Sequence, residues 1–94
     1  MQRRWVIRLL GDDGTAVEGR LEVEQDEVVF RAGMQGAMVP AMVIGRGRIA
    51  RVQPIDRGLA HRVELVLQDG SRIVLDNGLR PTTDLVAALS GPAR

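Results

Sequence analysis

The stretch from Arg62 to Asp76 constrains the fold more than any other. Val63, Leu65 and Leu67 alternate with Arg62, Glu64 and Gln68, and after Asp69-Gly70 the chain returns with Ile73 and Leu75 on the apolar side. A period of two marks a half-buried strand, because successive side chains point to opposite faces of a sheet. Asp69-Gly70 predicts a two-residue hairpin turn, since both central positions tolerate positive φ. The chain therefore contains antiparallel sheet.

The rest of the sequence repeats this pattern in short runs bounded by turn residues. Arg4–Leu10 sets Trp5, Ile7 and Leu9 against Arg4 and Arg8, and Gly11-Asp12-Asp13-Gly14 turns the chain. Ala16–Glu24 sets Val17, Leu21 and Val23 against Arg20, Glu22 and Glu24. Gly19 breaks that alternation and predicts a bulge. Glu27–Ala32 places Val28 and Phe30 on one face. Ala37–Ile44 reads as a fourth strand, which Pro40 confines to an edge or a bulge. Gly45-Arg46-Gly47 turns into a fifth strand, Arg48–Ile55. There Ile49 and Val52 are an odd number of residues apart, so a bulge near Ala50-Arg51 is expected. The Arg62–Gln68 and Ser71–Asp76 strands complete seven.

A helix is expected over Thr83–Ser90. Thr82 or Thr83 can cap it, and Asp84 in its first turn suits the helix dipole. Gly91-Pro92 would end it. Two turns of helix are not stable alone in water, so Leu85 and Leu89, which share a face, must dock on the sheet.

Ninety-four residues make one domain, 1–94. Apolar residues are 45% and charged residues 27% of the chain, which is globular rather than disordered. No apolar run approaches a membrane span and nothing at the start reads as a signal peptide, so a soluble, cytoplasmic domain is expected. Without cysteine and with one histidine, no disulfide, zinc site or cofactor is called for. His61, Ser71 and Asp69 or Asp76 could be combined as a catalytic set, but Ser71 falls in a turn and His61 reads as an exposed loop residue. A nucleophile needs a positioned base and a third group to orient it. The chain is read as no enzyme.

The hairpin Gly19-Arg20-Leu21-Glu22-Val23-Glu24-Gln25-Asp26-Glu27-Val28-Val29-Phe30 resembles the G-x-L-x-(V/L)-T-x-x-x-(L/V)-x-F hairpin of the bacterial PH and GRAM families, within the pleckstrin-homology-like superfold. Ile44–Val52 is similar to the strand that follows it there. This resemblance implies a mainly β fold: a seven-stranded antiparallel, partly open barrel of two sheets with one C-terminal helix. A small SH3-like or PilZ-like barrel is the alternative. It also implies an interaction or assembly module. Phosphoinositide binding at the superfold's usual site is disfavoured, because Asp12 and Asp13 replace the required cations and the chain contains no lysine.

Two features bear on function. From Asp12 to Glu27 the only cation is Arg20, whereas Arg46–Arg62 holds Arg46, Arg48, Arg51, Arg57 and Arg62 against Asp56. Cross-strand pairing accounts for such charges on solvated faces; a patch for an acidic partner or for contact between subunits is the functional reading. The second feature is the uncharged Met-rich stretch, residues 32–44. It gives Met34, Met38, Met42 and Ile44 as interface candidates if it is an exposed edge, and as core if it is not. The leading reading is a protein partner or a second copy of the chain. Nucleic acid or another anionic ligand on the Arg46–Arg62 patch is the alternative. It is weakened by having only Trp5 and Phe30 to stack on bases. Arg4 and Arg8 match the R-x-x-x-R spacing of the PilZ family, but its companion motif is absent.

Overall fold

The computed structural model describes residues 3–33 and 39–90, for 39–41, 56 and 57 the backbone alone. Seven strands and one helix follow in order: β1 (Arg4–Leu10), β2 (Ala16–Val23), β3 (Glu27–Ala32), β4 (Val39–Gly45), a single 3-10 turn at Arg46–Arg48, β5 (Ile49–Arg57), β6 (Ala60–Leu67), β7 (Arg72–Asp76) and α1 (Thr83–Ser90). All pairings are antiparallel, and the sheet order is β4-β3-β2-β1-β7-β6-β5. The mainly β fold with one C-terminal helix is thus the one that forms. Its two expected sheets are halves of one hydrogen-bonded sheet. They join where β1 meets β7 over only Arg8–Leu10 and Val74–Asp76.

β4 and β5 are the two edges of this sheet, yet one 3-10 turn connects them. The sheet must therefore curl until its edges converge on that turn, and it stays open there. One face of the curl is apolar. Trp5, Ile7, Leu21, Val28, Phe30 and Ile44 from one half share a single core with Val63, Leu65 and Leu75 from the other, and Leu85 and Leu89 of α1 complete it. Burying those two leucines offsets the cost of forming a short helix, at roughly 1.5–3 kcal/mol each.

Several local expectations hold and several are corrected. β4 is an edge strand, and its pairing with β3 slips at Phe30/Arg31, opposite Pro40–Met42. β5 slips between Ile49 and Arg51, where the bulge was expected. Gly19 is not a bulge: it stays in register with Ile7 and Ala32. It is instead a close approach. A Cβ there would overlap the Arg31 carbonyl and lie 2.8 Å from Cζ of Phe30.

The turn between β6 and β7 is a three-residue loop, not a two-residue one. The Gly70 N–H donates to the Leu67 carbonyl and the Leu67 N–H to the Ser71 carbonyl, both at 2.9 Å. Only Gly70 has positive φ, at 88°. Gly11–Thr15 repeats the arrangement, with Gly14 at 86°. In each, an aspartate accepts from the backbone N–H two residues on, Asp13 from Thr15 and Asp69 from Ser71.

α1 spans the expected residues. The Thr82 carbonyl accepts from Val86 N–H, placing Thr82 just before the first turn. The expected stop at Gly91-Pro92 lies outside the described residues. Asn77 shapes the approach to the helix by donating its side-chain amide to the Arg80 and Pro81 carbonyls, at 3.2 and 3.0 Å.

Candidate protein-interaction surface

Three of the residues singled out in the sequence, Arg46, Arg48 and Arg51, lie at the corner where the sheet stays open. Arg46 is half-buried and occupied. Its guanidinium donates to the Ala88 carbonyl at 2.9 Å and the Glu24 carbonyl at 3.2 Å, tying the end of α1 to the β2–β3 turn. The Arg48 and Arg51 side chains are exposed and make no side-chain hydrogen bond or close ion pair among the described residues, although the Arg48 charge acts on Asp69 and its carbonyl accepts from the Gln68 N–H at 2.8 Å. Between Arg51 and α1 lies a cleft of about 270 Å³, lined by Arg46, Ile49, Arg51, Val52 and Leu89 among others. It sets the cations Arg46 and Arg51 beside Ile49, Val52 and Leu89.

The other candidates separate. Ile44 is 3% exposed and belongs to the core, and Met42 is half-buried against that core. Val43, between them, points outward and is 52% exposed. Met34 and Met38 lie outside the described residues, as does the Arg57 side chain. Arg62 faces Asp76 across the β6–β7 pairing, but at 3.8 Å this is an ionic contact rather than a hydrogen bond.

Glu18 and Glu22 of the acidic stretch pair across strands with arginines that lie outside the Arg46–Arg62 stretch. On the outer face of β1–β3, Glu22 bridges Arg31 at 2.7 Å and Arg4 at 3.4 Å, and Glu18 meets Arg8 at 3.3 Å. Arg72 lies 3.9 Å from Glu64. The hydrogen bond from Arg31 holds the Glu22 carboxyl below the usual glutamate range, against the opposing effect of burial. Arg31 was not among the sequence candidates. Its partnership depends on the β2–β3 register, which the hairpin pattern implies but does not announce.

A second cleft, about 470 Å³, opens where β1 and β7 part beyond Arg8 and Asp76. There the Arg80 guanidinium donates to the Val6 carbonyl at 2.6 Å, in place of a strand partner. Val6 and Leu79 flank it, 61% and 75% exposed.

The catalytic set does not assemble. The Ser71 hydroxyl donates to Asp69 at 2.5 Å within the turn. His61 is a half-buried β6 residue rather than an exposed loop residue, its backbone paired with Asn77 and Gly78. Ser71 lies past the opposite end of that strand, about 20 Å away at strand rise. Among the described residues no group of His, Asp and Glu could hold a metal ion, and no helix is long and apolar enough to cross a membrane.

No family model matches the sequence, and no curated protein does. Among solved structures, the chain is similar to the pleckstrin homology (PH) domain of USP37, with a TM-score of 0.58 and 20% identity over 93% of this chain and 90% of that one. The chain has a PH-like fold.

Proposed function

We propose that this chain is a non-catalytic protein–protein interaction module, of the kind found among bacterial PH and GRAM domains, and that it docks a partner along β4 and the adjoining corner with β5. The assignment to those families rests on the Gly19–Phe30 hairpin. The observation that carries the docking reading is the corner itself. Two sheet edges converge there beside a cleft that sets Arg46 and Arg51 next to Ile49, Val52 and Leu89, with Arg48 exposed in the adjoining turn. Pro40 limits strand addition on β4, because proline lacks the N–H that a new strand would need. That leaves Met42–Gly45 for backbone pairing, with Val43 projecting outward. The partner is an extended segment carrying acidic residues.

Two other ligands fit less well. The described turns Gly11–Thr15 and Gln68–Ser71 carry Asp12, Asp13 and Asp69 and no cation, so they repel a phosphorylated headgroup. Nucleic acid would need stacking platforms, and Trp5 and Phe30 are 5% and 0% exposed. Of the five arginines proposed for an anion, Arg46 and Arg62 are already engaged.

Selection of a random peptide library against the purified chain tests the reading. Acidic, extended peptides are expected to be enriched, and their affinity should fall at least 10-fold in the Arg48→Glu/Arg51→Glu double variant. Enrichment of nothing, or of peptides indifferent to that variant and to Val43→Asp, overturns it. Binding of single-stranded RNA that collapses with added salt would favour the nucleic-acid alternative.

A further inference from the structure

The outer face of β2–β4 has an order that its pairings make explicit. Glu24 and Glu27 lie at the turn end. One pleat further, Val43 faces Val29 and Val29 faces Glu22. One pleat beyond that, Arg31 faces Arg20. The rows are about 6.6 Å apart, at two residues of strand rise each. On β3 acid, valine and arginine succeed one another as Glu27, Val29 and Arg31, and from the turn into β2 the order is Glu24, Glu22, Arg20, with Glu22 already bridged to Arg31 and Arg4. Glu24 and Glu27 are exposed, and Arg20 is half-buried, its charge acting on Glu22 without a close ion pair. A hollow of about 500 Å³ lies over Val29, between Glu24 and Glu27 on one side and Arg31 on the other.

Such an order is complementary to itself. A two-fold axis along the valine row, perpendicular to the strands, reverses strand direction. It places Glu24 over Arg20 of a second copy, Glu27 over Arg31, Val43 over Val43, and Glu22 over Glu22, whose charge Arg31 and Arg4 offset within each copy. A two-fold axis parallel to the strands would set acids on acids. We infer that this face is an isologous interface, and that one partner of the chain is a second copy, stacked face to face through β2–β4. This rests on the interaction reading above and names one partner within it. Face-to-face sheets pack about 10 Å apart, a gap that arginine and glutamate side chains can span. Val43 supplies little apolar area, so the association depends on charge and weakens with salt.

Sedimentation velocity on the full chain over a concentration series, at low and high salt, reads this directly. A reversible dimer is expected that dissociates as salt rises. Glu24→Arg alone and Arg20→Glu alone should each weaken it at least 10-fold. The two single variants mixed should associate with each other, and the double swap in one chain should restore self-association. Glu24 and Arg20 are chosen because neither side chain makes a hydrogen bond or ion pair among the described residues, and far-ultraviolet circular dichroism verifies that both variants fold. A monomer at every concentration, or a dimer that ignores both reversals, overturns the inference. A monomeric chain that still enriches acidic peptides sinks this inference and leaves the docking reading standing; a dimer that enriches none does the reverse.

Discussion

At the scale of single residues, the sheet depends on an absent side chain. Phe30 is the largest fully buried residue, and its ring lies over Gly19 in the neighbouring strand. In the sequence Gly19 was visible as an interruption of the alternation, but not for its cause. A glycine in a strand marks either a bulge or a close approach, and only the ring opposite distinguishes them. Gly19→Ala should therefore destabilise the fold by about 2 kcal/mol or more, because its Cβ meets backbone as well as ring. Urea unfolding would measure this as a lower midpoint at unchanged slope. Glu22 makes a second residue-scale expectation, set by pH. Its carboxyl is held low in the folded state, so the unfolded chain takes up the proton first as pH falls. The contribution is complete above the ordinary glutamate value near 4.3 and is lost as pH drops through the folded value. Glu22→Gln should flatten that part of the stability–pH curve while leaving the slope between pH 6 and 8 unchanged.

At the scale of elements, the sequence was most legible where burial on one face enforces alternation. β1, β3, β6 and α1 were placed within about two residues, the usual ambiguity of element ends. Turn type was less legible. Asp69-Gly70 suits either a two-residue turn or the three-residue loop that forms, and the aspartate's bonds to Ser71 tip the balance. Least legible was Arg46. As one arginine in a basic run it read as a surface charge, whereas the fold turns it toward the last carbonyls of α1. Those carbonyls have no partner within the helix, and a cation beside them also suits the helix dipole. Arg46→Met keeps the stem and removes the donors. We expect a loss of about 1–2 kcal/mol. Amide exchange in Val86–Ser90 should accelerate far more than in β6. Equal acceleration everywhere would show that Arg46 acts on the whole barrel rather than on the docking of α1.

At the scale of the whole molecule, the question is whether two half-sheets joined by three residue pairs behave as one unit. The backbone link between β1 and β7 is short, and Arg80 extends it by a single side-chain bond to Val6. The core has no such division, since both halves feed one apolar cluster. Leu75 sits where the two arrangements meet: it is fully buried, pairs with Leu9 across β1–β7 and with Val63 across β6–β7. If the shared core sets cooperativity, Leu75→Ala should cost about 2–5 kcal/mol and lower the stability of both halves by the same amount. Native-state amide exchange resolves this by comparing the slowest protons of β2 with those of β6. Equal losses mean the halves open together. A loss confined to β5–β7 would mean that β1–β4 is a separate cooperative unit, and the open corner at Arg46–Arg48 would then be a hinge between two units rather than a gap in one.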